Sequence, residues 1–141
     1  MSAEVLVYIA DTNIYVTAAN DAAFRLRFEA FIHASGVLPV SAVVAAEVLL
    51  GIANAAQHSV ALRALGAGTT VAAPHPEDWA RAATAVVQLG GNVVTKSRSF
   101  WNDAVLAAQC TRLGATLITH NTADFRRLGR VLDVRAVPPF P

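Results

Sequence analysis

The chain reads as short apolar runs separated by longer stretches in which apolar positions recur every three or four residues. The first run, Glu4-Val-Leu-Val-Tyr-Ile-Ala10, has strand length and several β-branched residues. A central parallel strand buried on both faces has this composition. It stops at Asp11-Thr12-Asn13, residues that can cap a short helix over Ile14–Ala19. Asp21 opens a second helix to about Ala34, closed by Ser35-Gly36. Val37–Val40 predicts a short strand, kept near an end or an edge by Pro39. Ser41 is a good cap for a helix from Ala42 to about Asn54, and Gln57–Leu65 predicts another. Thr69–Ala73 predicts a third strand, broken by Pro74 and Pro76. A helix then starts at Glu77-Asp78-Trp79, with acids that suit its dipole, and runs to Gly90-Gly91.

After a polar loop, Asn92–Arg98, the densest pattern of the chain begins: Ser99–Phe125 reads as helix, tight turn, strand and polar loop. Asp103 is expected in the helix's first turn. Ala104, Ala107, Ala108 and Thr111 form a face of small residues that allows close packing on a sheet. Gly114 stops the helix as a left-handed cap, and Ala115–Thr119 is a short buried strand ending in His120, Asn121, Thr122 and Asp124. Asp124–Leu128 predicts a short helical turn, Val131–Val134 a last strand, and Pro138–Pro141 an extended tail. Strands alternating with helices mean a parallel sheet wrapped by helices, an α/β sandwich. With 141 residues and no repeat or linker, one domain over residues 1–141 is expected.

Composition narrows the classes. At 55% hydrophobic and 15% charged residues, disorder is excluded and a sizeable core follows. A lone cysteine, Cys110, forbids a disulfide framework and fits a reducing, cytoplasmic compartment. Glu4 and Asp11 interrupt the N-terminal apolar run, so no signal peptide is expected; Val40–Ala56 is too short and too polar to span a membrane. The net charge of +1 gives no global field for nucleic acid, so any such role rests on local patches.

The acids carry the candidate chemistry. Asp11 follows a buried strand, where it either caps the next helix or binds a ligand at the strand's carboxyl end. Glu47 is the sole charge in Ala42–Ala53, a stretch apolar enough to be buried nearly all round. Its carboxylate must face solvent, a cleft or a cation. Asp103 and Asp124 each stand where a helix cap would, or in a cluster on the rim of the sheet. Carboxylates converging there repel one another unless something positive joins them. A set of oxygen donors without zinc-spaced His and Cys suits Mg²⁺ or Mn²⁺.

Four segments resemble one family in order and spacing: Ile9-Ala-Asp-Thr-Asn-Ile14, Val40-Ser-Ala-Val-Val-Ala-Ala-Glu-Val-Leu-Leu-Gly51, Asn102-Asp-Ala-Val-Leu-Ala-Ala108 and Gly114-Ala-Thr-Leu-Ile-Thr-His-Asn-Thr-Ala-Asp-Phe125. The chain is similar to the PIN-domain ribonucleases, especially the VapC-type toxins of toxin–antitoxin pairs. The resemblance implies a three-layer α/β/α sandwich with a short, mainly parallel sheet. It implies an acidic site holding Mg²⁺ or Mn²⁺, and hydrolysis of RNA phosphodiester bonds. Asp11, Glu47 and Asp103 take the places of the core acids. Thr12 and Asn13 match polar residues of the site, and Thr119 and Asn121 join them as groups that position substrate. Asn121 stands where many relatives have an acid, which leaves Asp124 as the fourth carboxylate and a second metal open. An antitoxin partner and a homodimer are expected on the same grounds, the dimer also from the high apolar content.

Lys96, Arg98, Arg126, Arg127 and Arg130 are either a solvated surface or contacts to the RNA backbone. Two other functions compete. A PIN fold that only binds RNA or protein is favoured by Asn121 and opposed by the intact acids. A phosphatase with Asp11 as nucleophile usually has another acid two residues on, where this chain has Asn13.

Overall fold

The computed structural model describes residues 7–35, 38–51, 54, 56, 70–90 and 98–140. Its elements, in order, are β1 (Val7–Ala10), α1 (Thr12–Asn20), α2 (Ala22–Ser35), β2 (Val40–Ser41), α3 (Ala42–Leu50), β3 (Val71–Ala72), α4 (Pro76–Gln88), α5 (Arg98–Leu113), β4 (Ala115–Ile118), α6 (Thr122–Leu132) and β5 (Arg135–Val137). All pairings are parallel: β1-β4-β5 form one ladder, with Val7 opposite Ala115 and Thr116 opposite Arg135, and β2-β3 form another. β2 also touches β1.

Successive strand residues point to opposite faces, and that alternation builds three layers. Ile9 and Leu117 enter a core shared with α3, α4, α5 and α6. Ala10 and Ile118 enter a second core, with Ile14 and Ala18 of α1 and Phe24 and Phe28 of α2. The result is a three-layer α/β/α sandwich with the sheet between two helical layers. Phe140 of the extended tail closes the second core, its ring 5.1 Å from that of Phe31 and 5.5 Å from that of Phe24.

α5 is the central helix. Every residue from Asp103 to Cys110 is buried, and the small side chains let α4 and α6 pack closely on either side. Gly114, at φ +65°, ends it in the left-handed cap that its sequence predicts. α5 begins at Arg98, so Asp103 lies in its second turn rather than its first. Asp103 therefore neither caps the helix nor offsets its dipole, because both effects fade beyond the first turn.

Three other expectations change. The turn expected at Asp124–Leu128 is a full helix, because Phe125, Leu128 and Leu132 continue the 3.6-residue period into the core across Gly129. That helix absorbs Val131, and the last strand moves from Val131–Val134 to Arg135–Val137, after Asp133 turns the chain at φ 54°. α3 stops at Leu50 instead of Asn54 and buries only Val43 and Val44; Leu50 is 79% exposed. A helix read as buried all round is thus open on one side. Glu4–Leu6, Val37, the helix over Gln57–Leu65 and the loop residues up to Ser97, including Lys96, lie outside the described residues. No helix among the described residues is long and apolar enough to cross a membrane.

Gln109, a residue that no pattern in the sequence marks, ties both strands of the β2-β3 ladder to α5. Fully buried on α5, it accepts a hydrogen bond from the Ser41 hydroxyl and donates to the Ala72 carbonyl at 2.9 Å. Gln109→Leu keeps the volume but leaves both groups without that partner. We expect a loss of about 1–3 kcal/mol. It should appear as a lower urea midpoint with an unchanged slope.

Candidate active site

The site forms where β1 and β4 end side by side. The Asp11 N–H donates to the Ile118 carbonyl at 2.9 Å, and the Thr119 N–H to the Val137 carbonyl at 3.0 Å, so the ladder runs one residue past each strand. This brings Asp11 and Thr119 together. One oxygen of Asp11 accepts the Thr12 N–H at 2.8 Å, which makes Asp11 the N-cap of α1. The other accepts the Thr119 hydroxyl at 2.8 Å and the Asn13 amide at 3.3 Å. Capping α1 thus occupies one oxygen of Asp11 and leaves the other to the Thr119 side of the rim, so the cap does not exclude a second role.

The surrounding polar groups hold one another in turn. Asn13 donates to Thr119 at 3.2 Å and accepts the His120 N–H at 3.2 Å, and the Asn121 N–H donates to the Thr119 hydroxyl at 3.0 Å. Thr119 is fully buried, so its hydroxyl orients Asp11 and does not face a substrate. Thr12 donates to Glu47 at 3.0 Å, and the Asn102 side chain also hydrogen-bonds Glu47. Glu47 thus leaves the open side of α3 toward the rim. Asn121 donates to Asp124 at 2.9 Å and so holds the carboxylate that its own position lacks.

Electrostatics show the acids acting on each other. Asp103, 6% exposed, has its carboxyl pushed up to about 8, first by burial and then by the charges of Asp11, Glu47 and Asp124. Burial also raises Asp11, against the hydrogen bonds from Thr119 and Thr12 and the charge of His120. Glu47 is raised by burial and by Asp11. Among the described residues the one ion pair, Arg112 to Asp78 at 2.9 Å, ties α5 to the start of α4; none of these acids is ion-paired, and His120 is the basic group that acts on Asp11.

Among the described residues, no group of three or more acidic, histidine or cysteine side chains stands ready-made to hold an ion. The mutual effect of the four acids and the lack of a finished cage describe the same arrangement. Three of the acids are held by neutral partners: Asp11 by Thr119, Glu47 by Thr12 and Asn102, and Asp124 by Asn121. A Mg²⁺ ion keeps several of its waters and needs only one or two direct carboxylates. The all-oxygen, uncompensated donor set fits such an ion.

Asn102 and Asn121 are the residues whose structural work the sequence left unread. Asn102 carries no spacing signal beyond its place next to Asp103. Arg126, Arg127 and Arg130 are all exposed, and the Arg127 guanidinium lies 5.3 Å from the centre of the Phe100 ring. The Arg98 side chain lies outside the described residues.

A family model described as PIN domain matches residues 8–131. Among solved structures, VapBC2 from Rickettsia felis, bound to a DNA fragment from its promoter, is similar at 21% identity and a TM-score of 0.69; the match covers 94% of this chain and 98% of that one. VapBC-1 from nontypeable Haemophilus influenzae is similar at 24% identity and a TM-score of 0.68, with the same coverages of 94% and 98%. A toxin–antitoxin complex from Klebsiella pneumoniae is similar at 20% identity and a TM-score of 0.68, again over 94% and 98%. At such identities these likenesses show the fold. No curated protein matches the sequence.

The raised carboxyl of Asp103 sets a pH dependence. Its folded value, about 8, lies above the ordinary carboxylate value of 3.8, so between these the folded state holds a proton that the unfolded state has lost. Its contribution is complete below about pH 4 and is lost as pH rises through about 8. Without divalent metal, the wild type should lose up to about 1.4 kcal/mol per pH unit across that window. Asp103→Asn should flatten the slope, as read by thermal melting between pH 5 and pH 9. Equal slopes in the two proteins would contradict the placement of Asp103 among the acids.

Proposed function

We propose a function from one established premise: the chain belongs to the PIN domain family, whose model matches residues 8–131. On that premise the protein is a metal-dependent endoribonuclease, the VapC-type toxin of a toxin–antitoxin pair. The observation that carries this reading is the convergence of Asp11, Glu47 and Asp124 on the buried carboxyl of Asp103, with no basic group paired to them among the described residues.

Asp11 and Asp103 are the acids that would hold Mg²⁺ or Mn²⁺, with Glu47 and Asp124 at either side. Bound there, the ion supplies Lewis acidity to the phosphate and a water of lowered pKa. The protein's part is orientation. The Thr12 N–H, Thr119 and Asn13 fix both oxygens of Asp11; Thr12 and Asn102 fix Glu47; Asn121 fixes Asp124. Thr12, Asn13 and Asn121 remain half-buried at the mouth, where they meet the RNA. Holding these groups in advance of the reaction lowers the reorganisation that the transition state demands.

The solved relatives include complexes of a toxin with its antitoxin, which supports an antitoxin as partner of this chain. The open side of α3 supports a protein contact as well. A groove of about 360 Å³ beside Glu47 is lined by Ala42, Ala46, Leu50 and Trp79, with Leu50 79% and Trp79 44% exposed. A homodimer in the cytoplasm completes the proposal, and light scattering should give twice the 14.8 kDa of one chain. A monomer at micromolar concentration would remove the dimer from it.

The deciding assay is cleavage of single-stranded RNA in Mg²⁺, in Mn²⁺ and in EDTA. Cleavage should require metal, and Asp11→Asn or Asp103→Asn should lower its rate on the order of 100-fold or more, the equivalent of a few kcal/mol at the transition state. Mg²⁺ should raise the wild-type melting temperature, and raise it less in Asp103→Asn. Full activity in EDTA would overturn the reading.

A further inference from the structure

A second groove, of about 580 Å³, runs between α6 and β5 and is lined by Thr122, Phe125, Arg126, Gly129, Arg130, Val134, Arg135, Ala136 and Pro138. Its polar wall consists of three arginines from two elements. Arg126 and Arg130 stand one turn apart on α6, and Arg135 faces them from the first position of β5. Among the described residues, no acid lines this groove and none of the three arginines has an ion pair. Arg127, the neighbour that the sequence groups with them, turns the other way, onto the Phe100 ring.

The groove has a direction. Its upper end is Thr122, next to Asn121, at the rim that carries the acids. β5 ends at that rim, since Val137 accepts the Thr119 N–H. Arg135 lies two residues earlier, roughly 7 Å further from the rim at the usual rise of a strand. β5 is also the outer strand of its ladder, so the groove follows an edge and is not closed by a further strand among the described residues. Gly129 lets helix and strand approach, a Cβ there meeting the Val134 carbonyl at 3.4 Å.

The geometry points to this groove as a track for the phosphate backbone of single-stranded RNA leaving the acidic rim, with Arg126, Arg130 and Arg135 as its contacts. The inference rests on the nuclease reading for its substrate and extends it to a surface away from the acids. A chain of net charge +1 concentrates three unneutralised guanidinium groups on one edge, and such a stripe is the electrostatic footprint of a polyanion. The acids and the arginines do complementary work. A phosphodiester is repelled by the carboxylates alone, so backbone contacts beside them hold the strand in place.

The test is RNA binding by fluorescence anisotropy across a salt series, in EDTA, with a single-stranded RNA oligonucleotide. In the variant carrying Arg126→Ala, Arg130→Ala and Arg135→Ala together, the slope of log K against log salt should shrink by about 2, at roughly 0.7 for each lost single-strand contact. The same three positions changed to Lys should keep most of the slope, because phosphate binding needs the charge more than the fork. Arg127→Ala should leave the slope unchanged. An unchanged slope in the triple Ala variant, an equal loss in Arg127→Ala, or no binding by the wild type would overturn the inference. Tighter binding of polyglutamate than of RNA, lost in the same triple variant, would overturn it in favour of an acidic protein. Cleavage by the wild type in Mg²⁺, measured alongside, reports separately on the nuclease reading.

Discussion

The carboxylate of Asp11 is the joint on which the site depends. One oxygen is fixed by the first turn of α1 and the other by Thr119 at the end of the neighbouring strand. A single buried group thus sets the start of a helix, the spacing of two strand ends and the position of the first acid. Buried polar networks of this kind specify geometry because each unmade bond is costly. The same burial makes the cluster electrostatically unfavourable. Asp103 responds by holding a proton, and a bound cation would restore the ionised form.

Much of this arrangement was legible in the sequence, for a physical reason. A parallel sheet puts all strand ends on one rim, so Asp11 after β1 and Thr119–Asp124 after β4 had to meet once both runs were read as strands. Glu47 was legible for the opposite reason: a lone charge in an apolar helix needs a destination. The carboxylate does reach a partner, Thr12, although the premise was too strong, since α3 is half open and Leu50 is exposed. Periodicity reports which residues are apolar, not whether anything covers them.

Element ends were less legible, and they matter most for Asp103. Reading Asn102-Asp103 as a helix start made capping an open alternative, whereas α5 begins at Arg98 and places Asp103 one turn deeper. Arg98 and Ser99 give that first turn no cap signal, and the core contacts of Phe100 and Trp101 carry the helix back beyond Asn102. α6 was underestimated for a related reason. Gly129 reads as a breaker, but it sits where the helix touches the Val134 carbonyl, and the core contacts of Leu128 and Leu132 carry the helix past it. Gln109 and Asn102 were invisible because a side-chain amide announces nothing by its spacing; only the positions of its partners give it a role.

α6 shows how one short sequence sorts opposite charges. At about 100° per residue, Phe125, Leu128 and Leu132 share the buried face. Asp124 and Arg126, two residues apart, then point about 160° away from each other. Asp124 turns to the acids through Asn121, and Arg126, followed by Arg130 one turn on, turns to the groove beside β5. Arg127 falls on the flank of Asp124, and its guanidinium lies over an aromatic ring instead of joining the other two. The helix therefore keeps the arginines of the groove from neutralising the cluster of acids. Arg127, three residues on, does share the side of Asp124, but its guanidinium is held over the Phe100 ring and makes no ion pair among the described residues, so the repulsion among the acids is not cancelled from this helix.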